Sequence, residues 1–190
     1  MTEIESSTAQ ELVSTYIRAK DENRPWLMSR VFADNATLRI LSNPGTLSFP
    51  AATTGLEAIT DVLVRQFARR FENVYTFCIS APPAVDAATF SCPWLVAMSE
   101  KDTQTVRVGG GRYDWTFRSG PPRLVETLGI HIELMHMFDP ATLGAIMGWL
   151  SRLRFPWCAM DELAGNAPAL GEIDLLVRYL EQETMNAHVR

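Results

Sequence analysis

The sequence predicts an α+β fold with helices on the concave side of a strongly curved antiparallel sheet. Three observations point to it. Segments near residues 9–17 and 56–71 carry apolar residues at steps of three and four; four strand-length segments follow between residues 73 and 137, joined by short turns; and three consecutive glycines, 109–111, fall inside one of those strands. Glycines in a strand interior weaken pairing but permit the sharp bend that curls a sheet around a helix.

The first helix presents Ala9, Leu12, Val13, Tyr16 and Ile17 on one face, and Ser7 or Thr8 with Gln10 or Glu11 forms a capping box at its start. Pro25 ends this helix near Asn23 and opens a short second one through Trp26, Leu27 and Val31 to Phe32. ATLRIL (36–41) reads as a strand, followed by a turn at Asn43, Pro44 and Gly45. Thr54 and Glu57 suggest a second capping box. Leu56, Ile59, Leu63, Phe67 and Phe71 then form the stripe of a helix over about 55–71. The strands are 73–80, 89–99, 105–118 and 123–137, an antiparallel meander in which Pro93, lacking a ladder donor, belongs at a bulge or an unpaired edge. Asp139 and Pro140 begin a helix through Leu143, Ile146, Met147, Leu150 and Leu153; FPWC (155–158) breaks it, and Ile173, Leu176, Val177 and Leu180 mark the last helix. The organisation is a core over 1–138 and a helical extension over 139–190 packed on the same domain.

Composition narrows the function. The chain has 190 residues, 47% hydrophobic and 21% charged, which suits one globular domain needing no disulfide or metal staple. A net charge of −5 and the lack of a Lys/Arg run argue against nucleic acid as a partner. The acidic, polar start is unlike a secretory signal, and no 18-residue apolar run suggests a membrane span, so a cytoplasmic protein is expected. Cys78, Cys92 and Cys158 lack zinc-site spacing and read as reduced, buried thiols. The glycines lie within a strand and no Lys-Ser or Lys-Thr follows them, which excludes a phosphate loop; no cofactor and no metal is expected.

LVSTYIRA (12–19), FADNATL (32–38) and YDWTFR (113–118) resemble the first-helix, first-strand and fifth-strand motifs of the nuclear transport factor 2-like superfamily, which includes ketosteroid isomerases, scytalone dehydratase and polyketide cyclases. The resemblance covers about residues 8–138. It implies a cone with a mostly apolar interior and, as in the isomerases, an oxyanion hole in which Tyr16 matches the tyrosine and Asp114 the protonated acid. The position of the isomerase base is occupied by Ile40, which cannot accept a proton. A positioned base contributes about 10²–10⁴-fold, so its loss removes most of the ground for that reaction.

Asp114 has two readings. Without a partner its pKa rises and it donates; paired with Arg112 or Arg118, on the same strand face, it stays ionised. His131 and Glu133 alternate with Ile130, Ile132 and Leu134, so they either point outward or enter the pocket and supply the missing base, and a single bulge inverts the choice. The candidate catalytic residues are therefore Tyr16, Asp114 and His131; Trp26, Ile40, Phe67, Trp94, Met98 and Thr116 are candidates for lining a ligand pocket. The expected function is that of a small-molecule pocket protein: a cofactor-independent isomerase, cyclase or dehydratase acting on an apolar carbonyl compound, a non-catalytic binder of a small apolar ligand, or a structural protein with a filled interior. The tail is expected over the pocket mouth or the sheet edge, with Leu153 and Trp157 in contact. The apolar convex face calls for cover, which suggests a homodimer.

Overall fold

The computed structural model describes residues 7–43 and 49–187. Helix α1 (Ala9–Asp21) starts at Thr8, whose Oγ1 accepts from Glu11 N at 3.2 Å while the Glu11 carboxylate accepts from Thr8 N at 2.8 Å, completing the expected capping box. Pro25 begins a 3₁₀ turn (Pro25–Arg30), and strand β1 (Phe32–Ser42) starts four residues before the predicted segment. The turn expected at residues 43–45 lies in part outside the described residues.

A short strand β2 (Ala52–Thr54), not foreseen from sequence, pairs with β1. Thr54 is engaged opposite Thr37 and does not cap the next helix, whose N-cap is Gly55. That helix runs continuously through α2 (Leu56–Thr60), a π-helical segment (Asp61–Gln66) and α3 (Phe67–Arg70). The wider π turn lets Val62, Leu63 and Val64, three successive residues, all become buried. Strands β3 (Phe71–Cys78), β4 (Thr89–Glu100), β5 (Val106–Phe117) and β6 (Val125–Phe138) form the meander. The sheet order is β2-β1-β6-β5-β4-β3, with β1 parallel to β6, so the sheet has one parallel pairing where sequence suggested none.

Pro93 sits just beyond the last β3 pairing. Its carbonyl accepts from Ile79 N at 2.8 Å, so its missing N–H faces the end of β3 and costs the β4–β5 ladder nothing.

Each sheet face has its own core. On the concave face, Phe32, Trp94, Met98, Tyr113 and Trp115 close around α1. On the convex face, Phe77, Leu95, Val106 and Val108 are covered by α4 (Leu143–Leu150), α5 (Met160–Gly165) and α6 (Gly171–Ala187). The tail therefore covers part of the face that the sequence assigned to a second copy. Leu153 joins this outer core, whereas Trp157 packs at the β3 end, its ring 6.0 Å from that of Phe90.

The three glycines serve close approach as well as curvature. A Cβ on Gly111 would lie 1.8 Å from the His131 carbonyl oxygen, at the bulge where Gly110 pairs with Leu134 but Gly111 with Ile132. A Cβ on Gly110 would lie 2.8 Å from Leu176 Cδ1, so the second glycine lets α6 settle onto the sheet.

Candidate functional site

A cavity of about 50 Å³ lies between α1, the 56–70 helix and the concave face of the sheet. Ile40, Phe67, Trp94 and Met98 line it, as do Tyr16, Lys20, Tyr113 and Met135. It is far smaller than the roughly 300–1,000 Å³ of drug-sized pockets, because Tyr16, Phe32, Tyr113 and Trp115 fill much of the cone edge-to-face. Trp26 lies elsewhere, 57% exposed and stacked under Arg30 at 4.7 Å; Thr116 is on the convex face, paired across to Thr89 and Thr127.

The polar atoms of this cavity are mainly donors. Tyr16 reaches it from the apolar stripe of α1. Its ring lies 5.2 Å from Trp115 and 6.1 Å from Tyr113 between centroids. Burial pushes both phenols well above the ordinary tyrosine range, so both keep their protons. The two hydroxyls interact electrostatically, but no hydrogen bond of good geometry joins them, and Tyr16 Oη is left buried without a partner. Trp94 Nε1 is likewise buried and unpartnered.

Lys20, one helical turn beyond Tyr16, completes the set. Its Nζ donates to Asp21 Oδ1 at 2.6 Å and to Thr76 Oγ1 at 2.8 Å, and Asp21 in turn accepts from Thr76 N at 2.7 Å. The side chains of Lys20 and Asp21 are only 6% and 4% exposed. Lys20 Nζ is thus held by a carboxylate and a hydroxyl. The phenol of Tyr113 and this Lys20–Asp21–Thr76 cluster were missed from sequence, although Lys20 stands at i+4 from Tyr16 and Tyr113 at i−2 from Trp115, so periodicity carried both signals.

Asp114 does not enter the cavity. On β5 the odd-numbered Tyr113 and Trp115 face α1 and the even-numbered residues face out, so Tyr16 and Asp114 lie on opposite sides of the sheet and share no acceptor. Asp114 accepts from Ser91 Oγ and from Arg112 at 3.2 Å, and its Oδ2 is 2.9 Å from His131 Nε2. Burial alone would raise its pKa, but the Ser91 and Arg112 hydrogen bonds and the Arg112 charge outweigh that and hold the carboxyl below its ordinary value. A carboxylate so paired does not donate, which corrects the oxyanion-hole expectation. Arg118 pairs with Glu126 instead. His131 is on the same outer face and supplies no base to the cavity; the bulge reverses parity only beyond Ile132, turning Leu134 outward and Met135 inward.

Cys78, Cys92 and Cys158 are free and buried. Among the described residues no three His, Cys, Asp or Glu side chains gather as a metal-holding group, and no helix is long and apolar enough to cross a membrane.

A curved, unclosed six-stranded sheet wrapped on a long first helix is the nuclear transport factor 2-like fold. Solved structures of that fold are similar to this chain. A nuclear transport factor 2-like superfamily protein from Salmonella enterica serovar Typhimurium matches 71% of this chain and 90% of its own, with 16% identity and a TM-score of 0.52. A hexachlorocyclohexane dehydrochlorinase (LinA) type 2 matches over 68% and 86%, with 12% identity and a TM-score of 0.56. The type 3 enzyme from Novosphingobium barchaimii matches over 68% and 87%, with 12% identity and a TM-score of 0.54. No family model and no curated protein matches the sequence.

Proposed function

We propose that the interior cavity binds a small apolar compound carrying a hydrogen-bond acceptor, a carbonyl oxygen being the best fit. The observation that carries this is Tyr16 Oη, a protonated donor left unpartnered in an apolar chamber that Lys20 also lines. A buried donor without a partner costs about 1–3 kcal/mol, which an acceptor on a ligand recovers. The size of the cavity restricts the ligand to a few heavy atoms.

Butan-2-one and 2-methyl-1-butene have the same shape and differ in one oxygen, so they test the donors directly. Titration followed by the Trp94 indole N–H resonance is expected to show the ketone binding about tenfold more tightly, equivalent to about 1.4 kcal/mol, with the preference lost in Tyr16→Phe. Equal affinity for the two would overturn the proposal.

A second reading, catalysis of an isomerase, cyclase or dehydratase type, is supported by the pairing of a phenol and an ammonium at one cavity. Fold neighbours that are dehydrochlorinases are consistent with it. Against it, no carboxylate or imidazole is among the described cavity-lining side chains. Exchange of the α-protons of butan-2-one in D₂O, abolished by Tyr16→Phe, would favour it. In either reading we propose a homodimer joined through the uncovered part of the convex face, where Leu41 is 58% exposed. A monomer in analytical ultracentrifugation would remove that part.

A further inference from the structure

We propose that Phe67 is the gate of the interior cavity and sets the size of the molecule admitted; this rests on the reading that the cavity takes a ligand. Its ring borders three separate spaces. One is the cavity itself. A second is a cleft of about 230 Å³ reached past Asn23, Glu72 and Lys101, and a third is a cleft of about 170 Å³ beside Pro50, Gln66 and Arg70. Lys20 also borders the second space and Phe49 the third, but Phe67 is common to all three.

The volumes give the partition its meaning. An apolar cavity of about 150 Å³ holds a benzene ring, whereas with Phe67 in place the cavity offers about 50 Å³, too little for a six-membered ring. Joined to either cleft it exceeds that size. Displacement of one side chain therefore changes both access and capacity.

The ring is held in a way that permits this. Lys20 Nζ lies 4.7 Å from its centroid and the Phe71 ring 4.9 Å, and neither contact is a directional hydrogen bond. Lys20 is anchored separately by Asp21 and Thr76, so it stays in place when the ring moves. Phe67 is also the first residue after the π-helical segment, whose turn is spanned by the bond from Gln66 Nε2 to Asp61 Oδ2. The extra residue of that turn rotates the last turn of the helix by about 100°, which places Phe67 over the cavity, and π turns are frequent at functional sites.

Xenon tests the gate without involving the donors. Its exchange into the cavity can be followed through the methyl resonances of Met98 and Met135, which line it. Phe67→Ala is expected to accelerate exchange at least tenfold, and Phe67→Leu, which keeps most of the core volume should the alanine variant fail to fold, about threefold. Leu12→Ala removes comparable volume from the same core at a buried residue bordering none of the three spaces and is expected to stay within twofold of wild type. Equal rates in the Phe67 and Leu12 variants would overturn the gate. Xenon exchange that obeys this pattern, without any preference for butan-2-one over its alkene, would leave the gate standing and remove the donor site. Absence of xenon from every variant would overturn both.

Discussion

Tyr16 is a phenol buried on the wall of an apolar chamber, its hydroxyl near that of Tyr113 but without a hydrogen bond of good geometry, and its energetics differ from those of an ordinary core tyrosine. Removing a satisfied hydroxyl destabilises; removing this one relieves an unmet donor. Tyr16→Phe is expected to leave the melting temperature unchanged or raise it, by up to about 1–2 kcal/mol of stability, in calorimetry without ligand. Asp21 behaves oppositely. Asp21→Asn strands the Lys20 ammonium in the interior and is expected to cost about 3–5 kcal/mol in denaturant unfolding. Asp114 is 39% exposed and its pairing is correspondingly weak. Because its folded-state pKa is depressed, its contribution is present above the ordinary value of 3.8 and is lost as the pH falls below it. Asp114→Asn is expected to lower the melting temperature by about 1–3 °C at pH 7, with the gap to wild type closing in more acidic buffer.

At the scale of elements, β5 shows how much is legible and where legibility stops. Its alternation of Tyr113, Trp115 and Phe117 with Arg112, Asp114 and Thr116 tells two faces apart in sequence, and an arginine partner for Asp114 lies in the same alternation. Which face meets α1 is not legible, because it depends on the helices that later cover the other side. The glycines are legible as a bend. That they also make room for a bulged backbone and for Leu176 depends on partners remote in sequence. Gly111→Ala is expected to destabilise by about 3 kcal/mol or more, since the atom in the way is backbone and cannot rotate aside. The 56–70 helix is legible as a helix, but its π segment is not: periodic spacing reports a stripe, and the extra residue shows only once Val62, Leu63 and Val64 are all found buried.

At the scale of the molecule, the order of elements and the resemblance of three short motifs anticipate the fold, while the destination of the tail differs from the one expected. A helix stripe of Ile173, Leu176 and Leu180 requires an apolar surface but does not say which one. The structure supplies the convex face, where those residues are fully buried against β4 and β5. Ending the chain after Phe138 is expected to expose Phe77, Leu95, Val106 and Val108 and give an aggregating product on size-exclusion chromatography, and Leu176→Ala in the full chain to cost about 2–5 kcal/mol.

The parallel pairing of β1 with β6 has a consequence in time. On the ribosome the first strand emerges with only the three-residue β2 to pair with, and its main neighbour begins at Val125. The cone therefore closes late, through contacts spanning about a hundred residues, a topology that favours refolding on the scale of milliseconds to seconds over microseconds.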